Sequence, residues 1–167
     1  MVSATPNFVH SHPAMTLAHL LSVEQIIPEM QAKERWAAIA ELADRLVAVE
    51  RIALEDRQEI VEALEARERT MSTGIGFGIA IPHATSTRVN QVVAAFGRSK
   101  EGIEFGSLDH TPVRFVVLFV VPKDEFQMHL RTLAAIAKFL NDKGVRERLT
   151  LADKPEDILE IFRANGR

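Results

Sequence analysis

The apolar run Val113–Val121 is the feature that most narrows the fold of this 167-residue chain. Apart from Arg114, every residue in it is Val, Leu or Phe. A run that is apolar without alternation is typical of a strand buried on both faces. Pro122 ends the run, since proline cannot continue a sheet ladder. The sequence therefore predicts a central strand that needs covering layers on both sides.

Helical patterns precede this strand. Apolar residues recur with helical period from about residue 32 to 49, which predicts an amphipathic helix. A second helix follows with Asp56 as the expected N-cap and Glu59 at N3, and it carries Arg67 in its last turn. An arginine there is favourable against the helix dipole and is commonly only solvated, so Arg67 alone indicates no site.

Helical patterns also follow the central strand. Asp124 is the expected N-cap of a long helix, with Gln127 three positions later and His129 within the first two turns. Its predicted buried stripe consists of Phe126, Leu130, Leu133, Ala134, Ala137 and Leu140. A last helix is expected to open at Pro155.

Together these elements predict an α/β fold: a central mixed β-sheet flanked by helices on both faces, in a single domain over residues 15–167. Gln91–Arg98 reads as a further strand, and residues 84–88 read as a polar turn. Residues 1–14 are expected to form a flexible N-terminal arm. His10 and His12 in that arm are weak candidates for metal binding.

The segment 73–84 joins glycines, a short apolar strand, a proline and a histidine end to end. Its three glycines, at positions 74, 76 and 78, allow a sharp turn or a close backbone approach. Ile79–Ile81 reads as a short buried strand, and Pro82 is expected to end its pairing. His83 is then expected to lie just beyond a strand end, where open α/β sheets place their sites.

This segment carries a resemblance to a known family. The run Gly-Ile-Ala-Ile-Pro-His-Ala at 78–84 resembles the active-site signature of the enzyme IIA (EIIA) proteins of the bacterial phosphoenolpyruvate-dependent phosphotransferase system (PTS), of the fructose, mannitol and nitrogen-regulatory type. The triplet Ala66-Arg67-Glu68 and the pair His129-Leu130 match two further parts of the family pattern. The likeness runs from about Leu17 to the C-terminus.

The resemblance implies a site and its partners. His83 would accept a phosphoryl group from a histidine phosphocarrier protein of the HPr or NPr type, as a tele-phosphohistidine, although the residues themselves leave the choice of ring nitrogen open. Arg67 and His129 would bind the phosphoryl oxygens, with no cofactor. Further partners would be a regulatory protein target or a separate EIIB protein, which carries its phosphoryl group on cysteine. A homodimer is left open.

Elementary chemistry agrees with such a role for His83. A neutral imidazole has a free lone pair near pH 7, so it can attack phosphorus and pass the group on. Transfer requires alignment and stabilisation of the equatorial oxygens more than bond-making help. Arg67 offers a forked donor and His129 a second donor, while backbone N–H groups at the glycine turn or helix start can add more.

Other interpretations of the same residues stay open at this point. Without the family pattern, a histidine after a strand is usually structural. His83 and His129 lack a third ligand for zinc. Ser86, His129 and Asp109 can be written as a hydrolase triad, but no nucleophile-elbow motif supports it. The glycines do not form a nucleotide-binding motif.

Composition excludes several classes of protein. A net charge of −3 argues against nucleic-acid binding. The absence of cysteine excludes disulfides and thiolate chemistry within the chain. No apolar run approaches the length needed to span a bilayer, and no secretory signal is recognisable, so we expect a cytoplasmic protein without membrane insertion. Two roles remain: a nitrogen-type regulator whose phosphorylation controls protein binding, or a sugar-uptake component that supplies a separate EIIB.

Overall fold

The structure, a computed structural model, describes residues 16–165, so the predicted arm and its two histidines lie outside the described residues. Within this range the α-helices are α1 (Leu17–Leu20), α2 (Arg35–Ala48), α3 (Arg57–Thr70), α4 (Phe126–Leu140), α5 (Lys143–Leu151) and α6 (Pro155–Asn165). The strands are β1 (Ile26–Ile27), β2 (Gly74–Gly76), β3 (Ile79–Ala80), β4 (His83–Ser86), β5 (Val93–Ile103) and β6 (Val113–Pro122). None of these helices is long and apolar enough to cross a bilayer.

The six strands form one mixed sheet with β6 at its centre. Its order is β1-β5-β6-β3-β2, and β4 also pairs with β6, beyond the end of β3. β6 is antiparallel to β5 and parallel to both β3 and β4. The apolar run thus has neighbours on both sides, as its composition predicted.

Helices cover both faces of the sheet, which confirms the predicted α/β fold. Val116, Leu118 and Val120 of β6 pack with α2 and α3 in one buried cluster. Phe115, Val117, Phe119 and Val121 pack with α1, α4, α5 and α6 in a second cluster on the opposite face. The alternation follows from the strand period of two residues.

Several element boundaries differ from the sequence prediction. Strand β5 continues to Ile103, five residues beyond the predicted end at Arg98. Residues 84–86, which were predicted as part of a turn, belong instead to a strand that starts at His83 and pairs with β6. The prediction that pairing stops at Pro82 is therefore wrong: it is interrupted at 81–82 and resumes at His83.

One of the two predicted N-caps is confirmed and the other is wrong, and neither predicted residue makes a capping hydrogen bond with its side chain. Asp56 holds the N-cap position of α3, but a 3₁₀ turn over Leu54–Asp56 gives it helical dihedrals, and its side chain makes no capping hydrogen bond. A 3₁₀ turn over Lys123–Glu125 likewise moves the start of α4, so its N-cap is Glu125 rather than Asp124. A tight turn before a helix removes the extended conformation that a capping side chain needs.

The buried face of α4 is also rotated relative to the prediction. Its fully buried residues are His129, Thr132, Ile136 and Leu140. Leu130 and Ala134 of the predicted stripe are exposed, whereas Phe126, Leu133 and Ala137 are half-buried. The polar His129 and Thr132 occupy the inner face, and a hydrophobic pattern cannot anticipate that.

Candidate functional site

His83 is the first residue of β4, an outer strand beside the centre of the sheet. It stands in register with Phe119 of β6, and the Phe119 N–H donates to the Pro82 carbonyl at 3.0 Å. Nδ1 of the half-buried ring lies 2.8 Å from the Ile81 carbonyl oxygen. A carbonyl can only accept, so this contact assigns the proton to Nδ1 and leaves the lone pair on Nε2.

The surroundings of His83 favour its neutral form. Burial of the ring lowers the pKa of His83 below 6.5, and the nearby Arg67 guanidinium lowers it further. The hydrogen bond to Ile81 and the charge of Glu68 act in the opposite direction without reversing the effect. The imidazole therefore retains a free lone pair at neutral pH.

Arg67 lies in the last turn of α3, as predicted, and is half-buried. Its Nη1 donates to the Met71 carbonyl at 2.9 Å, which holds the guanidinium at the start of the glycine segment. The positive charge of Arg67 is one cause of the lowered pKa of His83, after burial of the ring. Arg69, two residues on, instead pairs with Glu65 at 3.5 Å and lies over the Trp36 ring.

Glu68 has a positioning role that the sequence reading did not assign. Its side chain is buried, with 1% of the residue exposed. Its carboxylate accepts the Thr73 N–H at 3.0 Å and the Thr73 hydroxyl at 2.6 Å, and it lies 3.7 Å from Arg35. The Thr73 carbonyl then accepts the Ile81 N–H at 3.0 Å. A chain of hydrogen bonds thus links the end of α3 to the residue that orients His83.

The glycine segment forms the tight β2–β3 hairpin. Gly76, Phe77 and Gly78 all have positive φ, and Phe77 is the strained member because it carries a side chain. The Phe77 N–H donates to Asp109 at 3.0 Å, so the loop before β6 holds the hairpin. At Gly74, an added Cβ would lie 2.3 Å from Ser107 Oγ, which explains the requirement for glycine.

His129 lies against the same part of the sheet. The residue is 5% exposed, and its ring packs edge-on against Phe119 at 6.1 Å between centroids. The ring of Phe126, one turn earlier in α4, stacks on His83 at 6.5 Å. Phe119 and Phe126 therefore bring the two imidazoles to one corner of the fold.

The ring nitrogens of His129 are not equivalent. Nε2 lies 3.4 Å from Oε1 of Glu125, one turn before it. Nδ1 is buried and has no hydrogen-bond partner. Glu125 is a second residue to which the sequence prediction gave no role, because that prediction put the helix N-cap at Asp124.

Several apolar side chains of the hairpin and of α4 are exposed. Met71, Ile75 and Phe77 flank the hairpin, and Met128 and Leu130 belong to the first turns of α4. Phe77 is 63% exposed, and the guanidinium of Arg146 lies 5.1 Å from its ring centroid. Ile75 and Phe77 were expected at the rim of an encounter surface, and both are exposed.

The structure does not assemble the alternative sites. Asp109 is bonded to Phe77 and Thr111, Ser86 accepts the Arg88 N–H, and His129 contacts Glu125, so the hydrolase triad is wrong. Within residues 16–165, no group of three His, Cys, Asp or Glu side chains has the arrangement of a metal site.

Comparisons with known proteins agree with the motif. The family described as "Phosphoenolpyruvate-dependent sugar phosphotransferase system, EIIA 2" matches residues 19–165. The chain is 33% identical over 146 residues to the PTS system fructose-specific EIIA component of Haloferax volcanii, which covers 87% of this chain and 94% of that protein.

Two solved structures share the fold. The nitrogen regulatory protein IIA-Ntr from Neisseria meningitidis aligns with a TM-score of 0.80 at 29% identity, over 87% of this chain and 98% of that one. Enzyme IIAMtl from Escherichia coli, solved in complex with phosphorylated enzyme IIBMtl, aligns with a TM-score of 0.73 at 26% identity, over 87% and 98%. The chain therefore belongs to the EIIA type 2 family of the phosphoenolpyruvate-dependent sugar phosphotransferase system.

Proposed function

We propose that this protein is a phosphocarrier that accepts a phosphoryl group on Nε2 of His83 from a histidine phosphocarrier protein. The observation that carries the proposal is the 2.8 Å contact between His83 Nδ1 and the Ile81 carbonyl, which leaves the lone pair on Nε2. Arg67, whose charge acts on His83, and His129, at the same corner, supply donors for the phosphoryl oxygens.

The transfer step needs no cofactor. The Nε2 lone pair of His83 attacks phosphorus in line with the departing phosphoryl donor. A new P–N bond forms as the P–N bond of the donor phosphohistidine breaks, and the donor imidazole leaves with that electron pair. The proton of His83 stays on Nδ1, which donates it in a hydrogen bond to the Ile81 carbonyl. The resulting positive charge of the ring makes it a good leaving group for onward transfer.

A donor protein docks, in this proposal, on the exposed apolar side chains of Met71, Ile75, Phe77, Met128 and Leu130. Such a surface suits a transient partner whose phosphohistidine must approach His83 closely. We place this encounter in the cytoplasm.

The recipient of the phosphoryl group decides between two roles. The similarity to IIA-Ntr, which has the higher TM-score of the two structures reported, favours regulation through phosphorylation-dependent protein binding. The fructose-specific relative and the IIAMtl complex favour transfer to a separate EIIB. The chain contains no cysteine, so an EIIB acceptor would have to come from outside these 167 residues.

Intact-mass spectrometry tests the proposal. The protein is mixed with phosphoenolpyruvate, enzyme I and the phosphocarrier protein, then measured at neutral to alkaline pH, with His83→Ala as the control. We expect one acid-labile gain of about 80 Da that the control lacks. A wild-type protein that gains no phosphoryl group, or a control that gains it equally, would overturn the assignment. Adding EIIB then separates the two roles by loss of the group to its cysteine.

A further inference from the structure

We propose that Glu125 competes with the phosphoryl group for His129: its carboxylate holds the helix imidazole in the unphosphorylated protein and is displaced when His83 is phosphorylated. This inference rests on the proposed function and concerns how that site is regulated. Phosphoryl acceptance by His83 does not itself require Glu125, so this inference gives that carboxylate a separate role.

The position of Glu125 is not explained by helix capping. It occupies the N-cap of α4, where an acidic side chain normally accepts backbone N–H groups of the first turn. Its side chain makes no such hydrogen bond. Oε1 instead lies 3.4 Å from Nε2 of His129, with the carboxylate side chain 34% exposed and the imidazole almost fully buried.

The ring of His129 presents one nitrogen, Nε2, to a nearby oxygen. Facing a carboxylate, Nε2 must carry a proton, because a lone pair there would be repelled. Nδ1 is buried without a partner, whereas Nε2 has the Glu125 oxygen within reach. A phosphoryl oxygen also needs an N–H donor, so it and Glu125 require the same Nε2–H group.

Charge makes this competition exclusive. A phosphoryl group carries close to two negative charges at neutral pH, and its oxygens repel a carboxylate that shares their donor. Glu125 is partly exposed, so it can turn to solvent at little cost, whereas the buried His129 cannot leave. Phosphorylation would therefore break the Glu125–His129 contact and release the Glu125 carboxylate to solvent near Met128 and Leu130. The surface presented to a partner protein would then carry an additional exposed negative charge.

The test compares Glu125→Gln with Asp124→Asn, which removes the same charge from the neighbouring exposed residue. Removing the internal competitor should raise the equilibrium constant for phosphorylation of His83 about two- to fivefold, as for a partly exposed charge pair. Asp124→Asn should leave that constant within about 1.5-fold. Circular dichroism verifies that both variants are folded.

Side-chain NMR of the wild-type protein gives the second readout. The Glu125 carboxyl carbon and His129 Nε2 resonances should both move on phosphorylation, and the Glu125 carboxyl shift should approach that of a solvated carboxylate. A phosphorylated protein in which both resonances stay unchanged, or a Glu125→Gln variant equal to Asp124→Asn, would overturn this inference alone. A wild-type protein that takes no phosphoryl group would overturn the proposed function and this inference together.

Discussion

At the scale of single residues, the proposed phosphoryl transfer depends on one imidazole that stays neutral and keeps a fixed tautomer. Burial supplies the neutrality and the Ile81 carbonyl supplies the tautomer. The tautomer depends on neighbours in one motif, Ile81 and His83, whereas the surroundings that lower the pKa include Phe126 and Arg67 from other parts of the sequence. The twelve-residue segment therefore predicts His83 as a candidate but not its surroundings.

The depressed pKa of His83 predicts how stability depends on pH. The unfolded imidazole, with a pKa near 6.5, binds protons more readily than the folded one. The contribution of His83 to the free energy of unfolding is therefore fully present above pH 6.5. It falls as the pH drops through 6.5 and levels off below the pKa of the folded state.

An NMR titration of the imidazole resonances, with unfolding in urea at several pH values, checks this prediction. The His83 resonances should titrate with a midpoint below 6.5. In His83→Ala, the unfolding free energy should lose part of its dependence on pH between 6.5 and the folded-state pKa of wild-type His83. A midpoint above 6.5 would contradict the account.

Arg67 and Arg69 form a matched pair for mutation. Arg67→Ala should raise the pKa of His83, because the Arg67 charge lowers it. It should also slow phosphoryl acceptance about 10- to 100-fold, as expected for loss of a charge-assisted hydrogen bond. Arg69→Ala breaks only a surface pair and should change the rate less than about twofold. Stopped-flow or quenched-flow assays measure the phosphorylation rates of both variants. Equal losses of rate in Arg67→Ala and Arg69→Ala would exclude a specific role for Arg67.

The side chains with positioning roles could be predicted less well than the candidate site residues His83, Arg67 and His129. Glu68 is part of the Ala-Arg-Glu triplet, but its buried contacts are to Thr73, five residues later and just before the hairpin. Glu125 became recognisable only when the 3₁₀ turn before α4 fixed the helix start. Such roles depend on tertiary contacts, which no local pattern encodes.

At the scale of elements, the contact between the end of α3 and the β2–β3 hairpin fixes the position of the glycine segment. Glu68 and Thr73 form it with two hydrogen bonds, both in buried surroundings. Strand β4 shows the same dependence on context. Three of its four residues were predicted as part of a turn, and they pair because β6 offers an unoccupied edge beyond β3.

Glu68→Ala should therefore destabilise the fold by about 2–4 kcal/mol, because it leaves the Thr73 N–H buried without an acceptor and Arg35 without its ion pair. Glu65→Ala, one turn earlier on α3, removes a partly exposed pair with Arg69 and should cost less than about 0.5 kcal/mol. Urea unfolding compares the two variants. If they proved equally stable, Glu68 would have no structural role at this contact.

At the scale of the whole molecule, the fold follows from one strand and its two covering layers. The apolar run predicted a central β6, and the alternation of its residues between two buried clusters bears this out. The order of the other strands could not be predicted, since β4 and β3 share one neighbour and β1 pairs across more than sixty residues. The site lies where β4, α3 and α4 meet, so the residues that form it come from three separate parts of the sequence.

The most direct test of the central claim is a long-range ¹H–¹⁵N NMR spectrum of the imidazoles before and after phosphorylation. Before phosphorylation, His83 should show a protonated Nδ1 and an unprotonated Nε2, as the Ile81 contact requires. Afterwards, His83 Nε2 should show coupling to phosphorus while Nδ1 retains its proton. Phosphorus bound to Nδ1 of His83, or to another residue, would contradict the account.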